Sequence, residues 1–268
     1  SFSAGSNPVE NDTPYFSMAT PPPRLWYFNI GFDLRLGRFS LDHLQRTISE
    51  ATWIMIPALP EEDAVITDQP MPPAHRQYLH QAGCPLPDID FSKYHHPQRL
   101  GSPWGWDEEA RQRLSATGCN LDHPSPFVVQ AVNSRVFSHF VSRSSGLGTP
   151  SARLISDPRA LEAVIQRMPG RPLVVKPLHG STGIGFLHIS GSHLEEQQRR
   201  SLDQLFAGHG GGVIIEPWLE RSADYSSALH VGRDGSLSGI RHHHTLSGST
   251  GIFFGVELRP HRLGHPGQ

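Results

Sequence analysis

The sequence predicts a mixed protein, a small α/β layer followed by an α+β region of helices, hairpins and antiparallel strands. Three observations lead there. Apolar strand-like runs at 26–30, 53–56 and 64–66 alternate with helix-patterned stretches. A segment rich in Asp, His and Pro at 120–126 then breaks regular structure. Beyond it, runs at 173–176 and 184–189 flank a glycine-rich loop, and runs at 213–218, 225–231 and 237–245 read as successive strands.

The elements follow in order. A polar, proline-rich arm reaches Arg24, and Ser40 is placed to N-cap a helix with Leu41, Leu44 and Ile48 on one face. Helices are expected over 74–81 and 107–116, flanking an irregular piece in which Trp104 and Trp106 either line a substrate groove or pack the insertion. Asn133 reads as the cap of a helix presenting Val136, Phe137, Phe140 and Val141 together. A strand over 152–155 precedes Asp157-Pro158, an N-cap with a first-turn proline, for a helix ending near Met168. Ser192 to Glu195 fit a capping box for a helix reaching Phe206. The turn Arg233-Asp-Gly235 joins the last two strands.

Composition narrows the class. A net charge of -2 over 268 residues advertises neither nucleic acid nor an acidic membrane. Gly and Pro make 50 of 268 residues, which implies long loops short of low complexity. No apolar run approaches the ~20 residues of a membrane helix. Glu10 and Asp12 interrupt any signal-peptide pattern. Cys84 and Cys119, in no CxxC pairing, suit reduced thiols. A cytoplasmic protein without nucleic-acid or membrane partners is expected.

Of 23 basic residues only Lys93 and Lys176 are lysine. Lys93 lies in a loop-like stretch. Lys176 ends the apolar run Pro172-Leu-Val-Val-Lys-Pro177, where a charge either has a partner or reaches solvent from a strand end. Three residues after Lys176 begins His179-Gly-Ser-Thr-Gly-Ile-Gly185, between two apolar runs and so at the tip of a hairpin. Glycines let backbone N–H groups approach an anion, and Ser181 and Thr182 add hydroxyls. Neither a Walker sequence nor a dinucleotide fingerprint is present. Alone the loop reads as a flexible turn; behind Lys176 it reads as a phosphate lid. A second cluster runs from Val213 through Glu216, Pro217, Trp218 and Leu219 to Asp224. Pro217 cannot donate to a central ladder, and a strand that stops pairing leaves backbone groups free for a purine edge.

Taken in order, Asn133-Ser-Arg135, Gly148-Thr-Pro150, Val174-Val-Lys-Pro177, Gly180 to Gly185, Ile215-Glu-Pro-Trp-Leu219 and Asp224-Tyr-Ser226 resemble the ATP-grasp superfamily of carboxylate–amine ligases. The resemblance covers roughly 127–231. It implies a pre-ATP-grasp-like α/β domain over 1–125, a small lobe with the glycine hairpin over 126–216, and an incomplete large lobe over 217–268. It also implies ATP as substrate: Lys176 on the α/β-phosphates, Gly180, Ser181, Thr182, Gly183 and Gly185 closing over them, Glu216 with Trp218 and Leu219 at adenine, and Asp224 on ribose. Arg135 stands where the family often has a phosphate-binding lysine. The implied reaction joins a small-molecule carboxylate to an amine through an acylphosphate. A non-catalytic nucleotide-binding protein and a kinase on the same fold are the alternatives. Magnesium is expected of the family, yet its Asp and Glu-x-Asn ligands are not visible after Asp224, where only Asp234 and Glu257 remain, so no metal site is assigned.

Arg241-His-His-His-Thr245 puts His242 and His244 on one strand face and Arg241 and His243 on the other. Zinc on the first pair lacks a local Cys or carboxylate; Arg241 or His243 facing a phosphate or transition state is the competing reading. The pentapeptide Gly-Ser-Thr-Gly-Ile recurs at 248–252 with different flanks, so no duplication is inferred. Ser249 and Thr250 there face substrate or nothing.

Overall fold

The structure is a computed structural model that describes residues 22–90, 95–149, 151–181, 183–191, 193–208, 211–232, 234–248 and 253–257. It is built on three sheets. The first contains β1 (Arg24–Tyr27), β2 (Ala64–Ile66), β3 (Asp88–Asp90) and β4 (Leu100–Pro103), all parallel in the order β3-β2-β1-β4. Parallel neighbours need crossovers, which supply helices for both faces. Between β1 and β2 come α1 (Phe32–Leu36) and α2 (Gln45–Met55), and α3 (Pro73–Gln81) leads to β3. α4 (Glu108–Ala116) covers the opposite face, packing Ala110 and Leu114 on Leu25 and Tyr27.

The strand expected at 53–56 is instead the end of α2 and the 3-10 turn Ile56–Ala58. A strand would set Trp53 against Ile56 on opposite faces. Helical spacing buries both and leaves Ile54 72% exposed. Four apolar residues in a row carry no period, so their length alone misled. Ser40 does accept a hydrogen bond from the Asp42 amide, but the turn it starts is 3-10, and α2 begins at Gln45.

The second sheet is antiparallel throughout: β5 (Arg153–Ile155), β6 (Leu173–Pro177), β7 (Leu187–Ile189) and β8 (Val213–Pro217), ordered β5-β8-β6-β7. α7 (Pro158–Gln166) and α8 (Glu196–Gly208) cover one face. Their Leu161, Ile165, Leu202 and Leu205 meet Leu173, Val175, Val213 and Ile215 in a dry core. Because side chains alternate along a strand, Val174, Lys176, Ile214 and Glu216 must point away from those helices. That alternation creates the candidate site. Asp157 caps α7 by accepting from the amides of Arg159 and Ala160; Asp157→Ala should cost about 1 kcal/mol in a urea titration. The capping-box Ser192 lies outside the described residues, and the α8 entry is instead held by Gln198, whose side-chain carbonyl accepts from the Glu195 amide.

α5 (Pro126–Val132) and α6 (Arg135–Ser144) precede this sheet. Ser134, not Asn133, caps α6: its hydroxyl accepts from Phe137 N at 3.1 Å and donates to Ala131 O at 2.7 Å, while Asn133 ends α5. The shared apolar face of this helix is turned outward, with Phe137, Phe140 and Val141 each 46–58% exposed. The third sheet joins β9 (Asp224–Val231), β10 (Leu237–Ser247) and β11 (Phe253–Val256) in the order β11-β10-β9. β11, only four residues long and directly following the second glycine-rich pentapeptide, had no sequence signal.

Candidate functional site

Lys176 and Glu216 lie on adjacent central strands but not opposite each other. The register pairs Lys176 with Ile214 and Val174 with Glu216, a diagonal that long side chains span. Lys176 Nζ donates to Glu216 Oε1, and both side chains are about four-fifths buried. Lys176 also stands over the Phe186 ring at 5.3 Å. These two residues and Ile214 floor a cleft of about 300 Å³. Its wall is the polar stripe Arg135, Ser138, His139 and Ser142 of α6, spaced i, i+3, i+4 and i+7, and residues 147–149 close the rim. The outward apolar face of α6 is the other side of this arrangement: the helix gives its polar stripe to the cleft.

The glycine hairpin joins β6 to β7. Gly180 and Gly185 have φ of 130° and 78°, conformations that L side chains rarely adopt. A Cβ on Gly185 would also stand 3.1 Å from the Phe39 ring, so that position admits no larger residue without displacement. Phe39 itself packs on the core of the second sheet. Of the loop residues assigned to phosphate, Gly180, Ser181, Gly183 and Gly185 are in place on the hairpin, and Thr182 lies outside the described residues.

Arg135 serves the loop in a way spacing did not suggest. Its guanidinium donates to Pro177 O at 2.6 Å and to Gly180 O at 3.0 Å, and its amide donates to Leu178 O at 2.7 Å. It stacks 5.1 Å from the Phe186 ring. Burial lowers its pKa, opposed by the charges of Asp33 and Glu216. Two of its donors are thereby spent on hairpin carbonyls, so Arg135 clamps the loop from the wall of the cleft. Asp33 was missed altogether. Burial raises its carboxyl above the ordinary range against the pull of Arg135.

His179 sits at the base of the hairpin. Burial, then the Arg135 charge, hold its imidazole below the ordinary 6.5, and its Nδ1 is buried without a partner. An imidazole depressed in the folded state leaves the unfolded chain to take up the proton first, so the stability it allows is complete above pH 6.5 and falls as pH drops below. Urea midpoints compared at pH 7.5 and 5.5 should show that acid loss, and His179→Gln should flatten it.

Trp218, Leu219 and Asp224 are not brought to this cleft. After Pro217 the chain turns, and they line a second cavity of about 600 Å³ with His244 to Gly248 and Phe254. The Trp218 amide, read as free for a purine edge, donates to Pro172 O at 2.8 Å. Pro217 does not end the pairing, since it stands opposite Leu173 within the ladder. Asp224 pairs with Arg221 at 2.8 Å, and Arg221 also donates to the carbonyl of Gly248. Arg241 is exposed opposite Ala228, and Ser227 binds His242. Ser249 and Thr250 lie outside the described residues. Trp104 is 53% exposed, whereas Trp106 packs on the first sheet and meets His123.

Among the described residues no three His, Cys, Asp or Glu side chains converge as metal ligands. Asp234 bonds its own turn at Ser236, and Glu257 meets His244. The described residues do not fit a magnesium site.

No protein-family model matches the chain, and no curated protein matches it. Solved structures do. D-alanyl-alanine synthetase A from Vibrio cholerae O1 biovar eltor superposes with a TM-score of 0.50 at 12% identity, over 91% of this chain and 75% of its own. The fold is ATP-grasp. The N5-carboxyaminoimidazole synthetase from Staphylococcus aureus, complexed with ADP, gives 0.48 at 14% identity over 87% of this chain. The chain spans 57% of that synthetase's length. An ATP-grasp RimK domain protein from Sphaerobacter thermophilus gives 0.38 at 14%, over 72% of this chain and 89% of its own. At these identities the likeness is one of fold. No helix among the described residues is long and apolar enough to cross a membrane.

Proposed function

We propose that the chain is the nucleotide-binding part of an ATP-dependent ligase that joins a small-molecule carboxylate to an amine. The observation that carries this reading is the buried Lys176–Glu216 pair at the floor of a cleft whose wall residue Arg135 also holds the glycine hairpin. A lysine there meets polyphosphate, the hairpin amides supply further donors, and Glu216 accepts from the adenine amino group. ATP competes for Lys176 and so frees Glu216 for the base, one exchange serving both ends. The ADP in the S. aureus synthetase supports a nucleotide on this fold. The division into an α/β domain, a small lobe and part of a large lobe belongs to the same proposal.

Calorimetry tests it directly. ATP should bind saturably with one site per chain, and GTP, lacking the exocyclic donor at that position, more weakly. Absence of heat at millimolar ATP on folded protein overturns the reading.

A further inference from the structure

The ring of Phe39 stands in a socket of three glycines. A Cβ built on Gly37 would lie 2.8 Å from its Cδ2 and Cε2, and one on Gly180 would lie 3.6 Å from Cε2. On the far side, a Cβ on Gly185 would lie 3.1 Å from Cζ and 3.2 Å from Cε1. Two of these glycines belong to the hairpin between β6 and β7. The third, Gly37, lies along the hairpin's base, where its Cβ would meet His179 Cβ at 3.3 Å.

What holds the ring there comes from the first sheet. Phe32 and Leu34 of α1 are buried, and Arg35 reaches Asp107, the cap of α4, at 2.8 Å. The helix then closes on two hydrogen bonds: the Phe39 amide donates to Leu34 O at 3.0 Å and the Arg38 amide to Arg35 O at 2.9 Å. This closure puts Arg38 in the left-handed region, at φ 58°, where glycine is the usual occupant. Among the described residues Arg38 is the sole non-glycine with positive φ. Backbone strain of this kind persists only where its surroundings over-determine it. Here they do so on both sides of the turn, with α1 fixed before it and the ring seated among glycines after it.

A loop of glycines lacks side chains with which to set its own conformation, so external supports decide where its amides stand. Arg135 supplies one support, on the carbonyls of Pro177 and Gly180 at the entry of the loop. The ring supplies another and reaches Gly185 at the exit. We propose that Phe39 is a positioning residue for the phosphate loop: anchored in the first sheet, its ring sets where the amides of Gly180, Gly183 and Gly185 stand beside Lys176. The proposal rests on the nucleotide reading for its purpose. Plain apolar cover is the competing role, since Phe39 also packs on the core of the second sheet.

Three variants of the full chain separate the two roles. Phe39→Ala removes the ring. Phe39→Leu keeps apolar cover on the core but lacks the planar ring that spans the glycines. Gly37→Ala retains Phe39 and turns its ring out of the socket. Without nucleotide, amide exchange at Gly180, Gly183 and Gly185 should accelerate about tenfold in all three. In Phe39→Leu and Gly37→Ala the amides of α7 and α8 should keep wild-type rates, and these two carry the test if Phe39→Ala fails to fold. Calorimetry should show ATP affinity falling about tenfold in the same variants, with AMP, which lacks the outer phosphates, held as before. Arg46→Ala, whose side chain is 90% exposed, should change neither. Hairpin exchange that is unchanged, or that rises in step with α7 and α8, overturns the proposal. Fast hairpin exchange with wild-type ATP affinity reduces Phe39 to core cover and overturns it too, as does an equal loss for AMP. If wild type binds no ATP, the nucleotide reading falls by itself, and the exchange comparison still decides whether Phe39 sets the loop.

Discussion

Lys176→Ala should weaken ATP binding by about 10- to 100-fold, the range of a lost charge-assisted hydrogen bond. The same change strands Glu216, which is about four-fifths buried, so stability should fall by about 1–3 kcal/mol. The two losses separate in a double variant. Lys176→Met with Glu216→Gln removes both charges from the floor and should recover much of the stability in urea. It should recover none of the ATP affinity, because polyphosphate still meets no cation. Wild-type ATP affinity in the double variant would show that the pair is structural only.

Arg135→Ala should cost about 2–4 kcal/mol and loosen the glycine hairpin selectively. It leaves the carbonyls of Pro177 and Gly180 without their charged donor and removes the cation facing Asp33. Amide exchange at Gly180, Gly183 and Gly185 should accelerate, while amides in α7 and α8 hold until global unfolding is reached. Arg135→Lys should rescue little, since an ammonium is a point donor and cannot fork to two carbonyls. Unchanged hairpin exchange in Arg135→Ala would refute the clamp.

What the sequence disclosed and withheld follows from the range of the interactions involved. α3, α4 and α7 were legible because their caps and periods are local: Asp107 and Asp157 accept hydrogen bonds within three residues. The ATP-grasp fold was legible in the order of the short motifs from Asn133 to Ser226. The Trp53–Ile56 run was misread because four apolar residues lack a period, and only the packing of Trp53 and Ile56 on Phe28 and Val65 decides between helix and strand. The orientation of α6 was not legible for a related reason. Its apolar stripe is real, but the cleft claims the opposite stripe, a choice made by the sheet facing it. Asp33 sits 102 positions from Arg135, so no local pattern joins them. Trp218 leaves the Lys176 cleft with its N–H donating to the Pro172 carbonyl, a contact that periodicity does not register.

Phe39 has a bearing on how this chain can be cut. The break at 120–126 invites expression of the later residues as an independent cassette. Yet the ring that supports Gly185 and rests against the second core comes from before that break. A cassette beginning at Pro126 would carry the glycine hairpin with its underside open to water and Pro177 uncovered. Inheritance follows the same logic: the segment at 37–39 and the hairpin at 179–185 have to be transplanted together, as one unit discontinuous in the gene.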